Sequence, residues 1–460
     1  MSLIKNLYNI GKMVDDKEFL SMIKTDFEAS DYITLIVDFK VKDNKLLGSP
    51  TLSIGSLDNH ETFFTKSIGG RGSGYFYLYP NFEYRGEKDL YKKFKNTAPT
   101  FEKSVLVFAN EENQNLAKPV FEYIKNYDKD ELNLKSFEKD NYLLIFTING
   151  KTIKELMPEI LTNFSKNTAF LHSKMKPTKS IDFITQKSEI CGYNPDVKFF
   201  TFDNYHDQFK TQIVDKLPLS QQSASLIKKG WMYVINYLKF YHKGLEYIIL
   251  PSMLKFNIDT YKTVLNRFKA MSQTKGLQEK ASKEDSLIRK LQNQSENLEN
   301  IGGIYLNIYF TNINIVNLSV EIFGSMEDLL PSKIRDVGNK MLNQKVLDYH
   351  SIKNKKEGFL CLSDYFLNIS LFANFTKSKG LGNRSLQERI YLAKLLLGYQ
   401  KIQYNELLDR FEHFREFDFE NKKKLNDEGI KEWINFSGSF VENEDGTLKF
   451  LDSIDAIKRS

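Results

Sequence analysis

Tyr32-Ile33-Thr34-Leu35-Ile36-Val37-Asp38-Phe39 is β-branched through its centre and alternates apolar with polar residues towards its end. It reads as a strand entering a mixed sheet, because branched side chains pack well on a pleated surface and crowd a helical turn. On its N-terminal side the period is different: Leu3, Ile4, Leu7, Tyr8 and Ile10 recur at helical spacing, and a second short helix fits residues 18–23. On its C-terminal side, strands are expected at 75–79, 105–108, 142–148, 199–202 and 247–250, interleaved with helices at 88–95, 116–126, 151–164 and 220–237. Residues 304–310 and 313–323 alternate like the arms of a hairpin that closes this part of the chain.

The expected fold class is therefore α+β: a mixed α/β N-terminal region over residues 1–325, followed by a C-terminal helical bundle over 326–460. Within the first region, residues 272–300 turn polar and read as a solvated helix whose apolar stripe is Leu287, Ile288 and Leu291. Beyond Gly324, helical patterns occupy 331–348, 358–375, 385–397, 403–414 and 419–435. Short polar breaks separate them, among them Lys377-Ser-Lys-Gly-Leu-Gly-Asn-Arg384, and a bundle is the natural way to bury their stripes.

A chain of 460 residues exceeds one ordinary core. Its 36 Phe and 24 Tyr mark a folded composition, not a disordered one. The net charge of +6 is mild for a protein that binds nucleic acid unaided, but it is unevenly spread. Lys166, Lys174, Lys176 and Lys179 fall in a stretch without any acid, and Lys210, Lys216, Lys228, Lys229, Lys239 and Lys243 accompany Asp215 alone. Either stretch reads as a nucleic-acid contact or as a solvated face. Cys191 and Cys361 are the only cysteines, which argues against a disulfide scaffold and points to a reducing compartment. Residues 1–11 lack a signal-peptide core and no run of about 18 apolar residues occurs, so a cytoplasmic protein without a membrane span is expected.

No motif in the chain carries catalytic chemistry. Gly69-Gly-Arg-Gly-Ser-Gly74 fails as a dinucleotide fingerprint, because the frame starting at Gly70 meets Tyr75 where glycine is required. It fails as a P-loop because no lysine follows Gly74. A loop of exposed backbone N–H groups with one arginine and a trailing aromatic suits a phosphate backbone or a groove edge, with Lys66 and Arg85 nearby in sequence. The histidines form no metal-ligand or nucleophile-activating spacing, and His206 between Asp203 and Asp207 reads as ordinary polar surface.

Residues 188–254 carry an ordered set of short motifs. It runs Glu189-Ile-Cys-Gly192, Val197-Lys-Phe-Phe-Thr-Phe-Asp203, Leu217-Pro-Leu219, Leu226-Ile-Lys-Lys-Gly230, Tyr237-Leu-Lys-Phe240 and Tyr247-Ile-Ile-Leu-Pro251. This order resembles the large-subunit family of the type I-B CRISPR surveillance complex, Cascade. Leu7-Tyr-Asn-Ile-Gly-Lys12 is similar to that family's opening helix, and Arg71-Gly-Ser-Gly74 falls where its glycine-rich segment is expected. The family often carries two cysteine pairs consistent with zinc. Here only Cys191 remains, with Gln221, Gln222 and Ser223 where the second pair would fall, so the segment is a degenerate zinc-finger region expected to hold by packing without metal or other cofactor.

The resemblance implies a non-catalytic subunit for antiviral defence, docked near the 5′ handle of the guide RNA and against the Cascade backbone and 5′-cap subunits. Such a subunit inspects double-stranded DNA for a protospacer-adjacent motif, promotes R-loop formation and leaves cutting to a separate helicase-nuclease; base pairing reads the rest of the target. The candidate DNA contacts are Lys66, Arg71, Tyr75, Arg85, Lys174, Lys176, Lys179, Lys228, Lys229, Lys377, Lys379 and Arg384. The alternative is a structural scaffold of a ribonucleoprotein that does not read DNA directly. The family's C-terminal part resembles the separate small subunits and is often also made alone from an internal start. Met326 has the cleaner boundary for this, while a GGA codon at Gly338 would give Met341 a workable ribosome-binding spacing.

Overall fold

The structure is a computed structural model that describes residues 2–23, 32–55, 66–67, 76–86, 89–127, 130–137, 140–171, 177–195, 197, 217–242, 245–272, 303–313, 320–334 and 337, and shorter stretches within 390–397, 401–412, 448–452 and 455–459. The fold is α+β, and the chain splits into two compact units, Met1–Tyr233 and Val234–Ser460.

The first unit opens with helices α1 (Ser2–Met13) and α2 (Asp16–Met22), the latter capped by the Asp15 carboxylate, which accepts from the Glu18 N–H at 2.8 Å. The quoted stretch becomes β1 (Ile33–Phe39), followed by β2 (Val41–Lys42), β3 (Lys45–Leu46), β4 (Thr51–Gly55), β5 (Lys66–Ser67), β6 (Phe76–Tyr77) and β7 (Phe82–Arg85). Helix α3 (Leu90–Lys95) leads to a continuous helical run of α4 (Ala98–Thr100), a π-helical turn (Phe101–Val105) and α5 (Leu106–Phe108). Residues 105–108, expected as a strand, are thus helical. Phe101, Ser104, Val105 and Phe108 are all buried, an i, i+3, i+4, i+7 stripe that a four-residue window cannot display.

Helix α6 (Glu111–Lys125), β8 (Asn141–Ile148), β9 (Lys151–Thr152), α7 (Ile153–Leu156) and α8 (Glu159–Lys166) complete the layer. The sheet order is β4-β1-β8-β7, with β1 and β8 parallel and both flanking pairs antiparallel. Seven of the eight residues of β8 are buried, as a central strand requires. Its Phe146 ring meets Phe94 at 5.6 Å, Phe101 at 5.8 Å, Phe39 at 6.0 Å and Phe82 at 6.5 Å between centroids, so one side chain joins sheet and helices into a single aromatic core.

Between β8 and β9 the chain reverses through Asn149 and Gly150, both at positive φ (52° and 78°), as a two-residue hairpin turn demands. The Asn149 side chain accepts from Val41 N–H at 3.0 Å and donates to Val41 O at 2.9 Å, fixing the turn against β2. A Cβ on Gly150 would meet nothing within 4 Å, so only backbone strain opposes a side chain there. Gly150→Ala is expected to cost roughly 1 kcal/mol in urea unfolding, and Gly150→Asn less, because asparagine tolerates the left-handed region.

The remainder of this unit holds β10 (Phe170–Leu171), the hairpin β11 (Thr178–Ile181) and β12 (Ser188–Cys191), β13 (Tyr193–Asn194), and all but the last four residues of the long helix α9 (Gln221–Tyr237). Helices α1 and α9 touch backbone to backbone. A Cβ on Gly11 would lie 1.9 Å from the Leu226 carbonyl oxygen, and one on Gly230 would lie 1.9 Å from that of Leu7. The contact is reciprocal, each helix offering a leucine carbonyl and, one turn later, a glycine.

In the second unit β14 (Lys239–His242), β15 (Leu245–Met253), β16 (Ile304–Ile313) and β17 (Val320–Leu329) form an antiparallel sheet in chain order. Helix α10 (Ile258–Ser272) buries Tyr261, Val264, Leu265, Phe268 and Met271, and its Tyr261 hydroxyl donates to Pro251 O at 2.8 Å. Met326 lies inside β17, buried and paired with Ile308. A product beginning there would therefore start within a strand whose partner it lacks, which removes the advantage of a clean boundary. Residues 331–334, 337 and 404–412 are helical as expected, and β18 (Ile402–Gln403) pairs in parallel with β19 (Ile457–Lys458). Residues 390–391 and 393–395 of the expected helix at 385–397 are helical too, whereas the expected helices at 358–375 and 419–435, Met341, the strand at 199–202 and the polar segment 273–300 lie outside the described residues.

Candidate nucleic-acid interface

The β11–β12 hairpin is held by one buried carboxylate. Asp182 Oδ1 accepts from Ile184 N–H and Thr185 N–H, each at 2.8 Å, and Oδ2 accepts from Ser220 N–H at 2.7 Å. The first two bonds shape the tip as an Asx-type turn, and the third ties it to the residue before α9. Ser220 Oγ in turn accepts from Ser223 N–H at 3.3 Å, capping the helix. Burial alone would raise the Asp182 pKa, but the backbone N–H groups of Ser220 and Thr185 outweigh it and hold the carboxyl below its usual range.

Backbone bonds complete the junction. Phe183 N–H donates to Pro218 O at 2.8 Å, and Gly192 N–H and Tyr193 N–H donate to Leu219 O at 3.0 and 3.2 Å. The Cys191-Gly192 knuckle, Leu217-Pro-Leu219 and the start of α9 therefore meet where a metal would be expected from the resemblance. Gln221 and Gln222 belong to the first turn of α9. Cys191 is buried with Sγ 4.0 Å from Ser180 O, and burial together with the charges of Asp182 and Glu189 pushes its thiol pKa up, which disfavours the thiolate a metal needs. Among the described residues no group of three His, Cys, Asp or Glu side chains could hold a metal ion.

The outward face of the hairpin is set by its register. Lys179 pairs with Ile190 and Ile181 with Ser188, so these four side chains share one face. Ile181 and Ile190 are each 52% exposed, Lys179 is exposed beside them, and Gln186 and Lys187 are exposed at the tip. The sequence reading included Lys179 but missed the two isoleucines and the anchoring aspartate.

The other candidates fare unequally. Lys228 is 2% exposed and donates from Nζ to Thr168 O at 3.0 Å. Lys229 is buried against the Phe19 ring, with Nζ 2.8 Å from Asp16 Oδ1. Both are tied into the interior, which corrects their expected place on a DNA-facing surface: a basic run on a helix says nothing of which side faces solvent. Burial would raise the Asp16 pKa, but Lys229 outweighs it and holds the carboxyl below its usual range.

Arg85 is exposed at the end of β7 and ion-paired with Glu83, which also accepts from Tyr32. Lys66 opens β5, paired in register with Tyr77 of β6. Arg71 and Tyr75, like Lys174, Lys176, Lys377, Lys379 and Arg384, lie outside the described residues.

No helix among the described residues is long and apolar enough to cross a membrane. Comparison with known proteins found no matching family model and no matching curated relative.

Proposed function

We propose that the chain is the non-catalytic large subunit of a type I-B CRISPR Cascade, which recognises a protospacer-adjacent motif in double-stranded DNA, promotes R-loop formation and recruits a separate helicase-nuclease. The observation that carries this reading is the convergence of its motif set. Leu7–Gly11 and Leu226–Gly230 pack on each other through their glycines, and Cys191-Gly192 and Leu217-Pro-Leu219 are bonded at the head of the same helix, so separate segments of the resemblance form one body. The exposed hairpin adds a second support. A two-stranded ribbon with Lys179 beside two exposed isoleucines and Lys187 at its tip has the chemistry of an element that neutralises phosphates and presses apolar groups against a base step.

In this reading the guide RNA 5′ handle, the Cascade backbone and the 5′-cap subunits hold the chain in place in the prokaryotic cytoplasm, and a small subunit translated from Met341 is the favoured internal product. The test is salt-dependent duplex binding by the assembled complex. Lys179→Glu is expected to weaken binding across all sequences and to lower the salt slope by about one or more, as loss of a phosphate contact does. Lys228→Met, matched for fold by circular dichroism, is expected to leave affinity within about twofold, because its ammonium never reaches solvent. Equal effects of the two substitutions would remove the hairpin from the interface.

A further inference from the structure

We draw no further inference here: the strongest candidate, the cleft of about 510 Å³ between the β2–β3 hairpin and the last turns of α6, is lined by the carboxylates of Glu122 and Glu131 with nothing beside them that points to a ligand, and Glu131 is already engaged by Tyr123 at 2.9 Å and Ser49 at 3.2 Å.

Discussion

Asp182→Ala is expected to destabilise the first unit by roughly 3–5 kcal/mol, measured as a shift of the urea midpoint at constant slope. The carboxylate is fully buried and serves three backbone donors, those of Ile184, Thr185 and Ser220. Removing it leaves those N–H groups competing for partners that a packed junction does not contain. Asp182→Asn keeps one oxygen for the turn but sets an amide NH₂ against the Ser220 N–H, so it too is expected to be costly. The pH dependence has a definite sign. The folded pKa is depressed below the ordinary 3.8, so the stabilisation is fully present above that value and is lost as pH falls through the folded pKa. The gap between the native chain and Asp182→Asn should therefore hold constant from neutral pH down to about 5 and close under stronger acid. A gap independent of pH down to acid unfolding would mean that the carboxylate's charge contributes nothing.

Gly230→Ala is expected to cost about 3 kcal/mol, at the upper end of what overpacking does. The reason is the identity of the obstructing atom. A new Cβ would sit 1.9 Å from the Leu7 carbonyl oxygen, and a helix backbone cannot rotate out of the way as a side chain can, so α1 and α9 must separate. Gly11→Ala creates the mirror-image clash with Leu226. The two substitutions push the same helices apart, so the double variant is expected to cost clearly less than the sum of the singles. Thermal and urea unfolding of the three variants checks this. Losses under about 0.5 kcal/mol for either single would show that the helices slide apart freely.

Much of the architecture was legible because its signals are local and repeated. The branched run of β1, the unbroken apolar run of β8 and the helical spacing of Leu7 and Ile10 each report burial directly. The Asn149-Gly150 dipeptide after the apolar run of β8 is an equally local signal, because both residues tolerate the positive φ of a two-residue hairpin turn. Residues 105–108 misled because the stripe that identifies them begins at Phe101.

The candidate interface was less legible for a different reason. Lys228 and Lys229 look like any surface pair in sequence, and only the close approach of α1, Asp16 and Thr168 reveals that they face inward. Asp182 carried a weak signal, an aspartate two and three residues before the N–H groups it binds. Its third partner, Ser220, is distant in sequence, and no periodicity connects them. Ile181 and Ile190 gain meaning only through the register that places them diagonally on one exposed face.

The central claim is most directly tested by equilibrium binding of the guide-RNA-loaded complex, assembled with and without this chain, to duplexes that vary only in the short motif flanking a matched target. The account predicts motif-dependent affinity that requires the chain, that loses selectivity at one motif position on Arg71→Ala with a cost of roughly 1–3 kcal/mol, and that occurs without cleavage in Mg²⁺. Affinity indifferent to the motif, or unchanged when the chain is omitted from an otherwise intact complex, would contradict it.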